Sequence, residues 1–109
     1  MGRLVKERQL HTRIDHYLSY LERDWNALPE VADEWQEMEE HERLDFVLEW
    51  PIREDRWLQL QHWAKDGLLT PAQCARYESL SALITRHRPT IDRLLVDEPP
   101  PAEPLDGNR

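Results

Sequence analysis

The fold of this chain is decided by residues 45–63, "DFVLEWPIREDRWLQLQHW", which carry three tryptophans around a proline. At about 100° per residue, Trp57, Leu60 and Trp63 project onto one arc of a helical wheel, about 120° wide, which is typical of a buried helix face. The two tryptophans lie at the borders of this arc, where an indole can bury its ring and keep its N–H near water. The stretch therefore predicts a helix packed in a core.

Pro51 divides the stretch into two predicted helices. Proline disfavours the α conformation of the residue before it, so we expect the first helix to end at Glu49 or Trp50. The second helix starts around Ile52 and stops at Gly67, a glycine suited to the left-handed position after a helix.

Two arginines fall on the buried arc of this second helix. An unpaired guanidinium is not left in a core, so Arg53 and Arg56 must each snorkel, stack on tryptophan or meet a carboxylate. The candidate internal partners are Asp45 and Glu49, which the turn at Pro51 would bring close.

The N-terminal part of the chain predicts a long helix and a short one. Apolar residues recur at threes and fours from Leu10 to Trp25, and Pro29 closes this first helix. A second helix carries Val31, Trp35 and Met38 on one face. The apolar residues that follow point away from this face, so we expect a break near Glu39 to His41.

The C-terminal part opens with the clearest local signal, "TPAQ" at residues 70–73. Thr70 suits the N-cap, Pro71 the first helical position, and Gln73 completes a capping box. The apolar stripe that follows passes through Pro89, which predicts one kinked but continuous last helix. Its members are Tyr77, Leu80, Ile84, His87, Ile91 and Leu94.

Together these elements predict an all-α fold, a bundle of about five helices in which the long first and last helices pack antiparallel. Residues 1–97 form a single helical domain, in which Trp25, Trp35, Trp57 and Trp63 are largely buried. Residues 98–109, "EPPPAEPLDGNR", have no apolar face and predict a disordered, proline-rich tail.

Charge is concentrated in one segment. The chain has 22 acidic and 14 basic residues, a net charge of −8. Residues 22–45 alone hold ten acidic and two basic residues, which accounts for the whole excess. Such a segment repels nucleic acid and membrane surfaces and attracts a basic protein.

Catalytic and metal-binding patterns are weak. The chain has no glycine-rich phosphate loop, HExxH or GxSxG, so we expect no enzymatic activity and no cofactor. His11 with Asp15, and Glu37 with His41 and Asp45, have the spacing of residues that meet on a helix, but we expect solvated surface and no metal.

The composition also bears on location. Cys74 is the single cysteine and cannot form an internal disulfide, and we expect a small buried thiol. No apolar run of about 18 residues is present, which predicts a soluble, cytoplasmic protein. No motif assigns the chain to a family. In its size and general appearance it resembles small bacterial helical proteins, including antitoxin-type partners.

These features favour a non-enzymatic protein-interaction module, one form of which is an antitoxin-like inhibitor of a basic nuclease or toxin. The predicted partner-binding residues are Asp33, Glu37, Glu40, Trp50 and Leu58.

Two alternatives remain open. One is a helix-turn-helix DNA-binding regulator using Arg76, Arg86 and Arg88, although the acidic charge makes nucleic acid an unfavourable partner. The other is a self-associating bundle, for which we expect a homodimer built on the two long apolar stripes.

Overall fold

The computed structural model describes residues 2–97, which form three long α-helices and contain no strand. Helix α1 spans Gly2–Glu34, α2 spans Glu40–Lys65 and α3 spans Pro71–Asp97. A short 3₁₀ turn at Trp35–Glu37 connects α1 to α2. The all-α prediction is confirmed at the level of class, with three long helices where about five were expected.

Contacts along the bundle show the directions of the helices. Gln73, at the start of α3, donates to the backbone carbonyl of His11 near the start of α1. Arg88, further along α3, lies over the ring of Trp25, further along α1. The first and last helices therefore run parallel, and the predicted antiparallel packing is wrong. A single helix, α2, returns the chain along the bundle, so α3 has to begin beside the beginning of α1.

Each long helix contains a proline in its interior: Pro29, Pro51 and Pro89. The predicted helix ends at Pro29 and Pro51 are wrong, whereas the continuous helix through Pro89 is confirmed. A proline inside a helix costs about 3 kcal/mol, which the burial of two large apolar side chains offsets. All three prolines are exposed, so the carbonyls they leave without a helical donor can be hydrated.

The break between α1 and α2 lies where the apolar pattern predicts it. Met38 is extended, with φ −74° and ψ 148°. Glu39 then caps α2, because its side chain accepts from the backbone of Glu42 and its own N–H donates to Glu42 Oε1 at 3.0 Å. The chain is helical on both sides of this break.

The link between α2 and α3 also follows the sequence signals. Helix α2 ends at Lys65, and Gly67 has φ +74°, a left-handed conformation that favours glycine. The Thr70 N–H donates to Gln73 Oε1 at 3.0 Å, and the Gln73 N–H donates to Thr70 Oγ1 at 3.1 Å. The predicted capping box is confirmed.

The core runs the length of the bundle and contains all five tryptophans. The predicted burial of Trp25, Trp35, Trp57 and Trp63 is confirmed. Cys74 is exposed and does not form the predicted buried thiol, because its neighbour Gln73 takes the position that faces α1.

Two predictions concern the surface and the tail. Within residues 2–97, no helix combines the length and the apolar character needed to cross a bilayer. The predicted proline-rich tail at 98–109 lies outside the described residues.

Candidate protein-binding surface

The acidic turn, residues 30–42, joins the end of α1 to the start of α2. It contains seven acidic residues and no lysine or arginine. All seven are exposed: Glu30, Asp33, Glu34, Glu37, Glu39, Glu40 and Glu42. The predicted partner-binding residues Asp33, Glu37 and Glu40 thus lie together at one end of the bundle.

The backbone of the acidic turn is held by hydrogen bonds. The Met38 N–H donates to the Glu34 carbonyl at 3.1 Å, which closes the 3₁₀ turn on the end of α1. Arg43 of α2 reaches back, and its Nη1 donates to the carbonyls of Trp35 (3.1 Å) and Met38. The carboxylates are therefore presented on a fixed backbone.

Trp35 anchors the acidic turn in the core. It is 2% exposed, and its ring meets Phe46 edge-on at 5.6 Å. Phe46 stacks on Trp50 at 5.4 Å, and Trp50 meets Trp25 edge-on at 5.1 Å. Aromatic pairs at these distances contribute about 0.5–1.5 kcal/mol each beyond the burial of their area. This aromatic chain fixes the acidic turn to the middle of the bundle.

Acidic residues that lie between two helices are paired with arginines from another helix, whereas exposed ones such as Glu78 and Asp92 form no ion pair with a described residue. Asp24 accepts from Arg53 Nε at 3.0 Å, and Glu22 accepts from Arg76 at 2.9 and 3.1 Å. Glu54 accepts from Arg88 at 2.6 Å.

The acidic turn has no such matching. Among the described residues, none forms an ion pair with Asp33, Glu37 or Glu40. The arginines between helices thus pair with the carboxylates there, while these three carboxylates are exposed and have no ion pair with any residue that the structure describes.

Arg53 finds its carboxylate on α1 and not on the residues predicted. Besides its bond to Asp24, Arg53 donates from Nη1 to the backbone carbonyl of Glu49 at 3.1 Å. Because α2 is continuous, the side chains of Asp45 and Glu49 stay exposed. Arg56 lies over the ring of Tyr20 at 5.0 Å, so the expected carboxylate partner is replaced by an aromatic face.

The other two predicted partner-binding residues, Trp50 and Leu58, differ in burial. Trp50 is 2% exposed and donates from Nε1 to Glu54 Oε2 at 2.7 Å, so its side chain packs in the core and does not lie on the surface where a partner would contact it. It is seven residues before Trp57, and that spacing puts both on the inward face once α2 continues through Pro51. Leu58 is 53% exposed and remains available on the surface.

Two of the three arginines of the DNA-binding alternative are engaged inside the protein. The two hydrogen bonds with Glu22 raise the pKa of Arg76, and Arg88 is held between Glu54 and the Trp25 ring. Arg86 alone of the three is exposed. Glu54 of α2 pairs with Arg88 of α3 and Trp57 stacks on Tyr77, so α2 and α3 contact each other well beyond the turn that joins them.

The residue pairs that have the spacing of metal ligands do not converge. Asp15 accepts from Gln73 Nε2 at 2.7 Å and lies 3.5 Å from Arg76. His41 Nδ1 lies 3.3 Å from Glu39, and the extended Met38 separates Glu37 from the rest of its set. Within residues 2–97, no three His, Cys, Asp or Glu side chains are grouped so as to hold a metal ion.

A groove of about 440 Å³ lies between α2 and α3 at Pro89. Its lining residues include Trp57, Thr85 and Arg88. Because Pro89 has no N–H, the carbonyl of Thr85 on the groove wall has no helical donor. The guanidinium in the groove is already neutralised by Glu54, so the groove lacks the free charge that the acidic turn has.

Comparison with known proteins finds no matching family model, no matching curated protein and no matching solved structure. Function is therefore inferred from the chemistry of this chain's own residues.

Proposed function

We propose that this chain is a non-enzymatic protein-interaction module whose acidic turn binds a basic surface of another protein. The form of this function that we favour is antitoxin-like: an acidic inhibitor that covers the nucleic-acid site of a basic nuclease or toxin. In such a contact, carboxylates occupy positions that phosphates would occupy, and their charge steers association.

The observation that supports this proposal is the distribution of arginines, which pair with carboxylates between helices and not with Asp33 or Glu37 of the acidic turn. Arg53, Arg76 and Arg88 each neutralise a carboxylate between helices. The sequence of the acidic turn contains no lysine or arginine, the neighbouring Arg43 donates to backbone carbonyls of the turn, and Asp33 and Glu37 have no ion pair with a described residue. A surface that served only to be solvated would mix both signs, as soluble proteins generally do.

Crowding of like charges gives a basic partner an energetic advantage. Exposed charges interact over about 8 Å at physiological salt, a range that spans neighbouring residues of the acidic turn. Like charges one helical turn apart destabilise a helix by roughly 0.2–0.5 kcal/mol per pair. A partner with lysines and arginines relieves this repulsion when it binds.

The rigidity of the acidic turn favours tight binding. Ordering a mobile side chain or loop at an interface costs about 0.5–1.5 kcal/mol per side chain. Trp35 and the bonds from Arg43 already order the backbone here, so less ordering remains to be done on binding. The exposed Leu58 lies near the other end of α2 and contributes to a separate surface.

The proposal includes a cytoplasmic location. The exposed Cys74 is a free thiol, and a reducing compartment keeps such thiols from forming disulfides between chains. The engagement of Arg76 and Arg88 within the bundle makes DNA a poor candidate partner.

A pair of charge-reversal variants tests the proposal. Asp33→Lys/Glu37→Lys changes the acidic turn, and Glu78→Lys/Asp92→Lys makes the same change in net charge at exposed positions of α3. Each variant and the unchanged chain are immobilised, and proteins retained from an extract of the native cell are identified at about 0.1 M and about 1 M salt.

We expect the unchanged chain and the α3 variant to retain the same basic protein at low salt, and the acidic-turn variant to lose it. The proposal would be contradicted if both variants retained the basic protein equally, or if its retention did not depend on salt concentration. Circular dichroism of both variants checks that the helices are intact.

A further inference from the structure

The outward face of α2 carries large apolar side chains that the core does not use. Leu48, Ile52 and Leu58 are 51%, 51% and 53% exposed. Leu44, one turn before Leu48, is half-buried. At about 100° per residue these four side chains fall within an arc of about 120°, opposite the face that holds Trp50 and Trp57. The exposed Pro51 and Asp55 fall within the same arc, so these apolar side chains form an interrupted row along the outward face of α2.

A shallow hollow of about 250 Å³ lies on this outward face near the end of α2. Its four lining residues are Leu58, Gln61, His62 and Lys65. Positions i, i+3, i+4 and i+7 are the ones that form the hole for one side chain of a facing helix in a coiled coil. The hollow therefore has the form that receives an apolar side chain from another helix.

The two ends of this face carry opposite charges. Glu40 at the start of α2 and Lys65 at its end are both exposed. Neither forms an ion pair with a described residue. Glu40 and Lys65 lie at equal distances along the sequence on either side of a point between Ile52 and Arg53. Leu48 and Leu58 lie at nearly equal distances on either side of the same point.

We propose that α2 packs against α2 of a second copy of this chain, antiparallel, about a two-fold axis beside Ile52. In this register Leu48 of each copy meets Leu58 of the other, and the two Ile52 side chains meet at the axis. Leu44 of each copy enters the hollow at Leu58, and Glu40 pairs with Lys65 of the second copy. A two-fold interface has to be self-complementary, and these residues satisfy that condition.

The charge of the whole bundle favours the antiparallel arrangement. The acidic turn lies at one end of the bundle, while the exposed Arg8 and Arg13 of α1 and Lys65 of α2 lie at the other. Arg13 lies over the ring of Trp63, which places the start of α1 beside the end of α2. Antiparallel packing puts each acidic end against a basic end, whereas parallel packing brings two acidic turns together.

The size of the surface sets the strength of the association. A few half-exposed side chains and two ion pairs correspond to an interface at the small end of the range, below about 1,200 Å², typical of transient contacts. We therefore infer a concentration-dependent dimer of micromolar or weaker affinity. The pairing shares Glu40 with the acidic turn, whereas Asp33 and Glu37 precede α2 and lie outside the pairing, so variants at Asp33 and Glu37 test the proposed function separately.

Sedimentation velocity over a concentration series, at low and high salt, tests the association. Leu48→Lys and Leu58→Glu should each shift the midpoint of dimerisation at least tenfold toward higher concentration. An equal mixture of the two variants should restore dimers, because the lysine introduced in one chain then faces the glutamate introduced in the other. Val96→Glu, at an exposed position of α3, is the matched control and should change nothing.

Cysteine cross-linking tests the register. In a Cys74→Ser background, Ile52→Cys should form a disulfide between copies under mild oxidation, and Val96→Cys should not. Glu40→Cys mixed with Lys65→Cys should cross-link to each other, while Glu40→Cys alone should not. In an antiparallel pair the two copies of residue 40 lie roughly 40 Å apart, at about 1.5 Å per residue.

Three outcomes would overturn the pairing: a monomer at every concentration, no cross-link at position 52, or efficient self-cross-linking at position 40. A loss of dimers in Leu48→Lys without loss of the basic partner would leave the acidic turn as a separate binding surface.

Discussion

Arg88 of α3 and Glu54 of α2 form an ion pair, with 2.6 Å between Nη1 and Oε2. The same Oε2 accepts from Trp50 Nε1 at 2.7 Å, and the Arg88 guanidinium lies 5.1 Å from the centre of the Trp25 ring. One carboxylate thus connects two tryptophans and an arginine from all three helices.

This arrangement predicts unequal effects of two substitutions at position 54. Glu54→Gln keeps an acceptor for Trp50 and removes the charge that faces Arg88, and we expect it to lower the free energy of unfolding by about 1 kcal/mol. Glu54→Ala also leaves the Trp50 N–H without its acceptor, so we expect a loss of about 2–3 kcal/mol. Urea denaturation measures both, and Asp55→Asn at the exposed neighbouring position should stay within about 0.5 kcal/mol.

Gln73 predicts a second stability effect. It is 4% exposed, caps α3 through Thr70, and donates to the His11 carbonyl and to Asp15 Oδ1 on α1. Gln73→Leu removes these bonds while filling a similar volume, and we expect a loss of about 2–3 kcal/mol. Thr70→Ala removes only the cap and should cost about 1 kcal/mol in the same denaturation assay. Equal losses would show that the contact with α1 contributes nothing.

Trp50 and Leu58 provide a contrast between core and surface on one helix. Trp50→Ala should destabilise the protein by about 3–5 kcal/mol, because it leaves a cavity beside Trp25 and Phe46. Leu58→Ala should change the free energy of unfolding by less than about 0.5 kcal/mol in dilute monomer. Thermal unfolding at low protein concentration measures both, and a large effect of Leu58→Ala there would mean that this residue packs within the bundle.

Tyr77 predicts a loss of stability at alkaline pH. Burial against α2 raises the pKa of Tyr77 above its ordinary value of 10.0, and its ring stacks on Trp57 at 5.1 Å. A group whose pKa is raised in the folded state stabilises fully below its unfolded pKa and loses this contribution as pH rises through the folded value. Stability should therefore fall from about pH 10 upward.

Tyr77→Phe removes the group responsible and should flatten this part of the pH profile while leaving stability near pH 7 almost unchanged. Absorbance titration of tyrosinate in the unchanged chain and in Tyr77→Phe should assign a raised pKa to Tyr77. An identical alkaline profile in Tyr77→Phe would assign the effect to other groups.

Helix type and caps could be predicted from the sequence because their causes are local. The Thr70 to Gln73 capping box and the left-handed Gly67 depend on residues within one turn of the chain. The burial of Trp57 and Trp63 follows from their spacing on a single helix. The break before Glu39 was also predictable, since the apolar face changes direction there.

The number and the direction of the helices could not be predicted by the same means. A proline weakens a helix locally, whereas the contacts that keep α1 and α2 continuous come from other parts of the chain, such as Trp25 against Trp50. The wrong break at Pro51 led in turn to the wrong placement of Trp50 and to the wrong partners for Arg53. Asp24, the true partner of Arg53, is 29 residues away along the chain, and no spacing rule connects them.

The acidic turn was predictable as a charged segment but not as a fixed surface. Composition alone identifies the excess of acidic residues between 22 and 45. Which carboxylates are matched by arginine depends on the packing of the three helices, which neutralises Glu22 and Asp24 and leaves Asp33 and Glu37 without an ion pair to any described residue.

The three interior prolines lie close to one cross-section of the bundle. Pro29 follows Trp25 by one turn, Pro51 follows Trp50, and Pro89 follows Arg88; Trp25 contacts both Trp50 and Arg88. Each helix lacks one backbone hydrogen bond near this level, and Trp25 Nε1 is buried there without a hydrogen-bond partner among the described residues. Side-chain contacts of Trp25, Trp50 and Arg88 therefore join the three helices where each lacks a backbone hydrogen bond, and replacing Trp25 should loosen all three helices together.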